Sequence, residues 1–468
     1  MINNCRRENT RLMLVLLLGF LLRVVSLNQS FWLDETTSGY VARDLGYLGI
    51  LTKFSPGDFH PPLYYLLLKA WGGVFGFGEV PLRMFSVVAS LVGIYLVYRI
   101  AKKISSEKVA VISTLFAATS PLWIYYSQEA RMYALGITLV LALVYIFVLL
   151  EEEQSLKKWL AFSLTYTLLV FTDYLPALMI FVFAIFALSA KKDRRWWRSF
   201  CLSFIIPVVS LLFWMPTFRQ QLASGLGVKE SVGGWWTLLG SVSLKNLGLI
   251  PVKFILGKIS FDNKMLYTGV AGITGLVFAY ILSQATRGAK KLLQFTWLWF
   301  LVPLVLGVVV SFKISVLSYF RFIFVLPAMY LLLAYGAVQV KKKSLGLVLI
   351  VFVLTTNLLC SFYYLLTPRF HREDWRGLVS ILKQQGPSQI VLPANSQTEG
   401  FRYYDPEGIL VVAGPDGVNR KYAIIWLMRY VREVFDPDDL VRLEVESLGY
   451  TKVGEHNFNG VEVWKYVK

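Results

Sequence analysis

Stretches of about 20 mainly apolar residues recur along most of this 468-residue chain. A helix of about that length is needed to cross the hydrocarbon core of a bilayer. The chain is 56% hydrophobic, whereas soluble domains are roughly 45–50% apolar. The sequence therefore predicts a mostly helical protein that crosses a membrane many times.

About eleven spans are predicted from the apolar runs. Their approximate ranges are 11–27, 80–101, 109–126, 132–150, 159–171, 175–189, 199–216, 265–283, 292–312, 317–338 and 345–366. The first is interpreted as an uncleaved span, because no small-residue cleavage site follows it. The apolar run 60–78 is short and ends in glycines, and we interpret it as a helix lying at the outer surface.

The basic residues set the predicted orientation. The net charge is +18, and most of it lies in short clusters between apolar runs. If the run 60–78 does not span, these clusters fall on one side, which is the cytoplasmic side by the positive-inside rule. The N-terminus is then cytoplasmic and the C-terminus extracytoplasmic, in a cell membrane. This rule accounts for the charge, so no nucleic-acid partner is expected.

The composition changes after Leu366, which divides the chain into a transmembrane domain, 1–366, and a C-terminal domain, 367–468. The second part has a helix and strand pattern, a strand-like segment "YAIIWLMRYV", an amphipathic helix and a hairpin turning at Asn459-Gly460. About 100 residues can form a small domain with its own core. We expect an α/β domain outside the membrane that folds separately and helps to choose the acceptor.

The outer ends of the predicted spans bring acids and cations to one face. The loop 28–79 carries Asp34, Glu35 and His60, and the Trp235-Trp236 pair further along the chain is expected to anchor at the interface. The other candidates on this face are Arg83, Gln128, Glu129, Arg131, Asp173, Tyr174 and Arg321. Ionisable groups at membrane depth are functional candidates by default, although each alone also suits a solvated loop, a helix cap or a snorkelling side chain.

A carboxylate beside cations is typical of glycosyl or phosphoryl transfer, in which the acid takes a proton from a hydroxyl and the cations neutralise a phosphate. No Gly-rich phosphate loop and no HExxH motif is found, which disfavours a nucleotide-driven pump and a zinc peptidase. A divalent ion could be held by Asp34, Glu35 and Asp173, but the spacing leaves this open. The alternative function is a transporter or lipid flippase, which would more often show paired halves and broken helices at mid-membrane.

Several motifs resemble one family. The segments "FWLDETTSGYVARD", "HPPLYYLLLKAW" and "ATSPLWIYYSQEARMYAL" are similar to the GT-C glycosyltransferases of the protein O-mannosyltransferase and aminoarabinose-transferase superfamily. "SYFRFIFVLPAMYLLLAYG" and "REDWRGLVSIL" resemble a late span and the outer C-terminal region of its bacterial and archaeal members. The resemblance implies an inverting hexosyl or pentosyl transferase on the outer face, with a polyprenyl-phosphate sugar as donor and membrane lipid around it.

The same resemblance implies roles for individual residues. Asp34 would be the base and Glu35 would orient it or the acceptor. His60, before the double proline, would face the donor phosphate. Arg83, Arg131 and Arg321 would join His60 there, and Gln128 and Glu129 belong to the same turn as Arg131. Two departures are found: Asp173-Tyr174 replaces a His-Tyr pair, and His60 replaces the Lys of the aminoarabinose branch. The sequence leaves the sugar and the acceptor, which could be protein, lipid or polysaccharide, unassigned.

Overall fold

The computed structural model describes residues 2–231, 240–287 and 291–468. Trp235 and Trp236, the expected interfacial anchors, lie outside these ranges, as does Lys290 of one basic cluster. The α-helices described are Ile2–Val24, Leu33–Asp44, Tyr47–Gly49, Leu63–Phe75, Glu79–Ile104, Glu107–Thr119, Pro121–Ser127, Tyr133–Glu152, Leu156–Thr172, Met179–Ser189, Arg194–Leu202, Ile205–Ser231, Leu244–Leu256, Lys264–Ala285, Lys291–Ser311, Leu326–Gln339, Lys343–Leu366, Trp375–Lys383, Thr398–Tyr404, Arg432–Phe435 and Leu440–Ser447.

The chain is a multi-pass helical membrane protein. In the described ranges, seven helices are long and apolar enough to cross a membrane, or eight if one bent pair counts as a single span. Three further predicted spans are helical but shorter or more charged: the first, Ile2–Val24, carries four arginines, and the others are Leu156–Thr172 and Met179–Ser189. The predicted polytopic helical class is confirmed at this level.

The bundle has two distinguishable ends. Helix ends at one end of the bundle, here called the basic end, are joined by ion pairs such as Lys102–Glu8 at 2.7 Å and Lys103–Glu152 at 2.7 Å. The opposite end, here called the domain end, carries the segment 28–79 and the C-terminal domain. The apolar run 60–78 forms the helix Leu63–Phe75, about 20 Å long at 1.5 Å per residue. That is too short to cross a hydrocarbon core of about 30 Å.

One helix of the bundle is broken where it reaches the domain end. Glu107–Thr119 and Pro121–Ser127 meet at 58°. Ser120 caps the second piece and Pro121 begins it, because proline lacks the N–H that a helix start leaves unpaired. The break exposes helix-end carbonyls, and Arg23 donates hydrogen bonds to those of Ala117 and Ala118. Buried backbone groups at membrane depth need such partners.

The C-terminal domain is a small sheet with helices. Its strands are β1 Gln389–Val391, β2 Val411–Ala413, β3 Ile424–Met428, β4 Thr451–Phe458 and β5 Val461–Val467. They lie in the order β2-β1-β3-β5-β4, and β1 pairs parallel with β2 and β3 while β5 is antiparallel to β3 and β4. The hairpin turns at Asn459-Gly460, both at positive φ, as the sequence predicted. The strand β2 and the helix Thr398–Tyr404 were not predicted.

The domain packs on the bundle through the segment 28–44. The Tyr404 hydroxyl accepts a hydrogen bond from the Phe31 N–H at 2.8 Å and donates one to Glu79 at 3.0 Å. Tyr403 donates to the Phe77 carbonyl at 2.7 Å, and Gly39 lies against the Tyr403 ring with no room for a Cβ. The unpredicted helix Thr398–Tyr404 therefore holds the domain against the helix that carries Asp34.

Candidate active site at the domain end of the helix bundle

The helix Leu33–Asp44 places the two predicted carboxylates in its first turn. The helix begins at Leu33, so Asp34 is not the cap of a helix starting near Thr36, the alternative that the sequence had allowed. Negative charges are stabilised at this position by the helix dipole. Neighbouring residues on a helix point to different sides, so the two acids have different surroundings. The Asp34 side chain is 45% exposed and that of Glu35 is fully buried.

Glu35 is held inside the protein by Arg83. The guanidinium binds both carboxylate oxygens, at 2.9 Å and 2.5 Å. The Ala130 N–H also donates to Glu35, at 2.7 Å, and Arg83 donates to three backbone carbonyls between Leu27 and Ser30. This pair therefore joins the segment after the first helix to the turn 128–132. Such a set of contacts suits a positioning role, and the phosphate role of Arg83 stays a prediction.

Asp34 faces Arg131, one of the arginines predicted to bind the donor phosphate. Its Oδ2 lies 3.5 Å from Nη2 of Arg131. Arg131 is buried, and its Nη1 is 3.4 Å from the Tyr65 hydroxyl. Within residues 2–231, 240–287 and 291–468, the Nε of Arg131 has no hydrogen-bond partner. A buried guanidinium with long contacts and an unpaired N–H group has unused capacity to bind an anion.

His60 lies beside an acid that the sequence analysis missed. Its Nδ1 is 3.4 Å from Oδ1 of Asp58, and the Tyr65 hydroxyl donates to Oδ2 of Asp58 at 2.7 Å. Burial raises the pKa of Asp58, but His60 and Arg131 outweigh this and leave the pKa below its usual value. Asp58 stands two residues before His60 in the sequence, which is the signal that could have identified it.

Asp173 and Tyr174 lie next to the same group. Burial raises the pKa of Asp173, although the nearby charges of His60, Arg321 and Arg131 oppose this. Three of the four cations predicted to bind phosphate therefore lie near Asp173. Tyr174 donates to Gln221 at 2.7 Å, and Gln221 donates to the backbone carbonyl of His60 at 2.9 Å. Tyr174 thus acts on the site through the backbone that carries His60.

Gln128 supports the turn and does not face the cluster. Its amide donates to the carbonyls of Arg23 and Val25, at 3.0 Å and 2.7 Å, and its Oε1 accepts from Tyr364 at 2.9 Å. These contacts fix the turn that follows the broken helix. Glu129 and Arg131 come next in that turn, so their placement depends on Gln128.

Glu129 is paired with a residue of the C-terminal domain. Its Oε1 lies 3.0 Å from Nη1 of Arg372, and both side chains are almost fully buried. Burial and the nearby Glu35 raise the pKa of Glu129 well above its usual range, against the opposing effect of Lys258 and Arg131. The sequence analysis placed no site residue beyond residue 366, yet Arg372 lies in the "REDWRGLVSIL" motif that it singled out.

Two more charged residues near Glu129 were also missed. Lys258 donates to the Tyr319 hydroxyl at 3.0 Å and lies 5.0 Å from the centre of the Tyr125 ring. Glu373 accepts hydrogen bonds from Tyr430 and Trp375. Lys258 is a single lysine between two apolar helices, a weak signal in the sequence.

The predicted metal ligands do not form a common donor set. Both oxygens of Glu35 are bound to Arg83, and one oxygen of Asp173 accepts from the Leu175 N–H. Across residues 2–231, 240–287 and 291–468, no group of three or more His, Cys, Asp or Glu side chains could hold a metal ion. These residues do not fit the divalent ion that the sequence left open.

Comparison with known proteins supports the family resemblance. A family model described as dolichyl-phosphate-mannose-protein mannosyltransferase matches residues 59–218. That range contains His60, Arg83, Glu129, Arg131 and Asp173. No curated protein sequence matches the chain.

Solved structures match nearly the whole chain. ArnT from Cupriavidus metallidurans in the apo state matches with a TM-score of 0.58 at 12% identity, covering 99% of this chain and 98% of that one. ArnT bound to undecaprenyl phosphate gives 0.56 at 12% identity, with 97% of each chain covered. The oligosaccharyltransferase AglB from Archaeoglobus fulgidus, in complex with an inhibitory peptide and a dolichol-phosphate, gives 0.57 at 11% identity, covering 98% of this chain and 74% of that one. At these identities the matches show the fold, and the predicted resemblance to it is confirmed.

Proposed function

We propose that this chain, which belongs by its fold to the GT-C superfamily of membrane glycosyltransferases, transfers a hexose or pentose from a polyprenyl-phosphate donor to an acceptor, with inversion. The lipid-phosphate part is supported by the relatives: one ArnT structure holds undecaprenyl phosphate and one AglB structure holds a dolichol-phosphate. The reaction is placed at the domain end, on the extracytoplasmic face of a cell membrane. The eleven-span arrangement, with the N-terminus inside and the C-terminus outside, is part of this proposal.

Arg131, His60 and Arg321 would bind the donor phosphate. Arg131 contributes a buried guanidinium whose Nε has no partner in the described part of the chain. The Arg321 guanidinium donates to the Ser315 carbonyl, which uses one of its five N–H groups. Cationic donors of this kind neutralise the charge that develops on a phosphate leaving group. Arg83 is fully engaged by Glu35 and three carbonyls, so we assign that pair to positioning.

Asp34 would be the base. Its carboxylate takes the proton of an acceptor hydroxyl, the acceptor oxygen bonds to the anomeric carbon, and the bond from that carbon to the phosphate oxygen breaks. Attack opposite the leaving group inverts the anomeric carbon. The polyprenyl phosphate leaves with its charge neutralised by the cations, and Asp34 retains the proton until solvent removes it.

The lipid tail would lie against the membrane-level helices. An apolar groove of about 390 Å³ lies among the helices Leu244–Leu256, Lys264–Ala285, Lys291–Ser311 and Leu326–Gln339. Its lining includes Phe254, Phe278 and Leu304. The first of these helices ends one residue before Gly257-Lys258, beside the charged cluster. An isoprenoid chain buried there gains about 25 cal/mol per Å² of apolar surface removed from water.

The observation that carries the proposal is the contact at the domain end between half-exposed Asp34, in the helix Leu33–Asp44, and buried Arg131, in the turn 128–132. The test uses full-length protein in lipid nanodiscs, supplied with undecaprenyl phosphate carrying mannose, glucose or a pentose. Transfer to a mixture of peptide, lipid and polysaccharide acceptors is followed by mass spectrometry. Wild-type protein should release undecaprenyl phosphate and form a glycosylated acceptor.

Asp34→Asn should abolish most transfer, and Asp44→Asn is its matched control. Asp44 is exposed on the same helix and pairs with the half-buried Arg43. The proposal fails if Asp34→Asn transfers sugar at the wild-type rate, or if wild-type protein neither binds nor consumes any polyprenyl-phosphate sugar.

A further inference from the structure

We infer that Glu129 binds a hydroxyl group of the transferred sugar and that Arg372, supplied by the C-terminal domain, positions Glu129 for this contact. The inference rests on the proposed function and deepens it, because it assigns the sugar part of the donor to a place separate from its phosphate. It also gives the C-terminal domain a part in donor recognition, through the contact of Arg372 with Glu129.

Glu129 has one satisfied and one unsatisfied oxygen. Oε1 pairs with Arg372, whereas Oε2 is buried and has no hydrogen-bond partner among the described residues. An unpaired buried polar atom destabilises the fold, so it usually marks a place where a ligand or water binds. Glu129 lies in the same turn as Arg131, which contacts Asp34, and the Ala130 N–H between them binds Glu35. This turn therefore brings Glu129 to the proposed reaction site.

A hydroxyl group suits Oε2 in either protonation state of Glu129. An ionised carboxylate only accepts hydrogen bonds, and a protonated one can donate. A hydroxyl can do both, whereas an ammonium group, which only donates, suits only an ionised Glu129, and the carboxylate of an acidic sugar, which only accepts, suits only a protonated one. The site therefore favours a neutral, hydroxylated sugar.

Arg372 reaches Glu129 from outside the bundle. Its guanidinium carbon lies 3.6 Å from the centre of the Tyr125 ring, and its Nη2 donates to the Tyr125 carbonyl at 3.1 Å. Its backbone N–H donates to Gln29 at 2.8 Å. Its carbonyl accepts a hydrogen bond at 2.8 Å from Asn459, in the turn between β4 and β5. The hairpin of the domain thus fixes the backbone from which Arg372 enters the site.

The experiment compares the binding of undecaprenyl phosphate with that of the same lipid carrying mannose, glucose or a pentose. Full-length protein in nanodiscs is used, and the measured quantity is the ratio of the two dissociation constants. Wild-type protein should bind one of the glycosylated lipids more tightly than the bare lipid. Glu129→Gln should reduce this preference roughly tenfold to a hundredfold, as expected for one hydrogen bond to a charged group, and leave binding of the bare lipid unchanged.

Arg372 is tested by a graded series. Arg372→Met should reduce the preference, Arg372→Lys should restore part of it, and the double variant Glu129→Met with Arg372→Met should fold, since no buried charge is left unpaired. Asn459→Gly keeps the positive φ of the turn and removes the amide, so it should give a smaller loss of the same kind. Arg376→Met is the matched control, because Arg376 pairs with Glu79 at the domain surface and should leave the preference unchanged.

The outcomes separate this inference from the proposed function. If wild-type protein binds no polyprenyl phosphate, both the proposed function and this inference are wrong. Equal binding of bare and glycosylated lipids by wild-type protein would overturn the inference alone. It would also be overturned if Glu129→Gln weakened both lipids equally, or if Arg376→Met reduced the preference as much as Arg372→Met.

Discussion

Replacing each of the two adjacent carboxylates should have opposite consequences for stability and for activity. Asp34→Asn should leave the protein folded and slow sugar transfer, whereas Glu35→Gln should destabilise the fold. Both substitutions preserve side-chain shape and remove one negative charge, so the difference between them reports the surroundings of each acid.

The magnitudes follow from burial and contacts. Glu35 is fully buried and receives two bonds from Arg83 and one from the Ala130 N–H. Removing one partner of a buried ion pair costs about 3–5 kcal/mol, because the other charge stays buried and unpaired. Arg83 keeps three carbonyl acceptors, which favours the lower end of that range. Asp34 is half-exposed and its pair with Arg131 spans 3.5 Å, so its loss should cost at most about 1 kcal/mol.

The rate effects should have the reverse order. A positioned general base contributes about 10²–10⁴-fold, and Asp34→Asn should lose about that much. Glu35→Gln should lose less per folded molecule, since its oxygens are already engaged within the protein. Thermal unfolding of purified protein in detergent gives the stability, and single-turnover transfer, normalised to folded protein, gives the rate.

This reasoning is refuted by either of two results. One is a Glu35→Gln variant with wild-type thermal stability and a transfer rate reduced as much as that of Asp34→Asn. The other is an Asp34→Asn variant that unfolds as early as Glu35→Gln. Asp44→Asn, on the same helix, should resemble wild type in both measurements.

Three further predictions concern the phosphate site, a buried acid and the topology. Arg131→Lys should weaken binding of undecaprenyl phosphate about tenfold, because a point charge cannot replace a planar fork; unchanged affinity in a fluorescence titration would remove Arg131 from the site. Burial raises the pKa of Asp173 in the folded protein above its unfolded value of about 3.9. Between these two pKa values the folded state binds the proton more tightly than the unfolded state, so the free energy of unfolding falls as pH rises through that range. Asp173→Asn should therefore gain melting temperature at pH 7 relative to wild type but not at pH 3.5, and an equal change at both pH values would contradict this. With the native cysteines replaced, an impermeant thiol reagent added outside should label a cysteine at Lys421 but not at Lys341; the reverse pattern would invert the proposed orientation.

The sequence predicted the parts of the site that a single segment defines. Asp34 and Glu35 could be found because two acids follow an apolar run, and His60 because it precedes a double proline. Their separate surroundings could not be predicted, since these depend on where Arg83 and Arg131 arrive from other helices. The turn 128–132 was recognised as a motif. The helix before it is bent by 58°, and Arg23 binds a carbonyl at that break; no local sequence pattern predicts this bend.

In the C-terminal domain, too, the sequence predicted local elements but not contacts with distant parts of the chain. Its helix Trp375–Lys383, its strand β3 and its hairpin at Asn459-Gly460 agree with their sequence patterns, because each depends on local periodicity and turn chemistry. The contact of Arg372 with Glu129 joins residues far apart in the chain, so no local pattern predicts it. We expect that deleting the domain would leave Glu129 without its cation.

The three ion pairs of the site differ in how much chemistry each can support. Glu35–Arg83 and Glu129–Arg372 are buried, and burying two charges repays its desolvation cost only when the geometry is nearly ideal. The two buried pairs lie where the segment 28–44, the turn 128–132 and the C-terminal domain meet. They fix the position of these three parts relative to one another. The Asp34–Arg131 pair is longer, and the Asp34 side chain is half-exposed. Each of these two side chains can therefore exchange its partner for a substrate group at a small cost in free energy. Fixed buried pairs around one loose pair are the arrangement that a transferase needs, because the reacting groups must exchange partners while their supports stay in place.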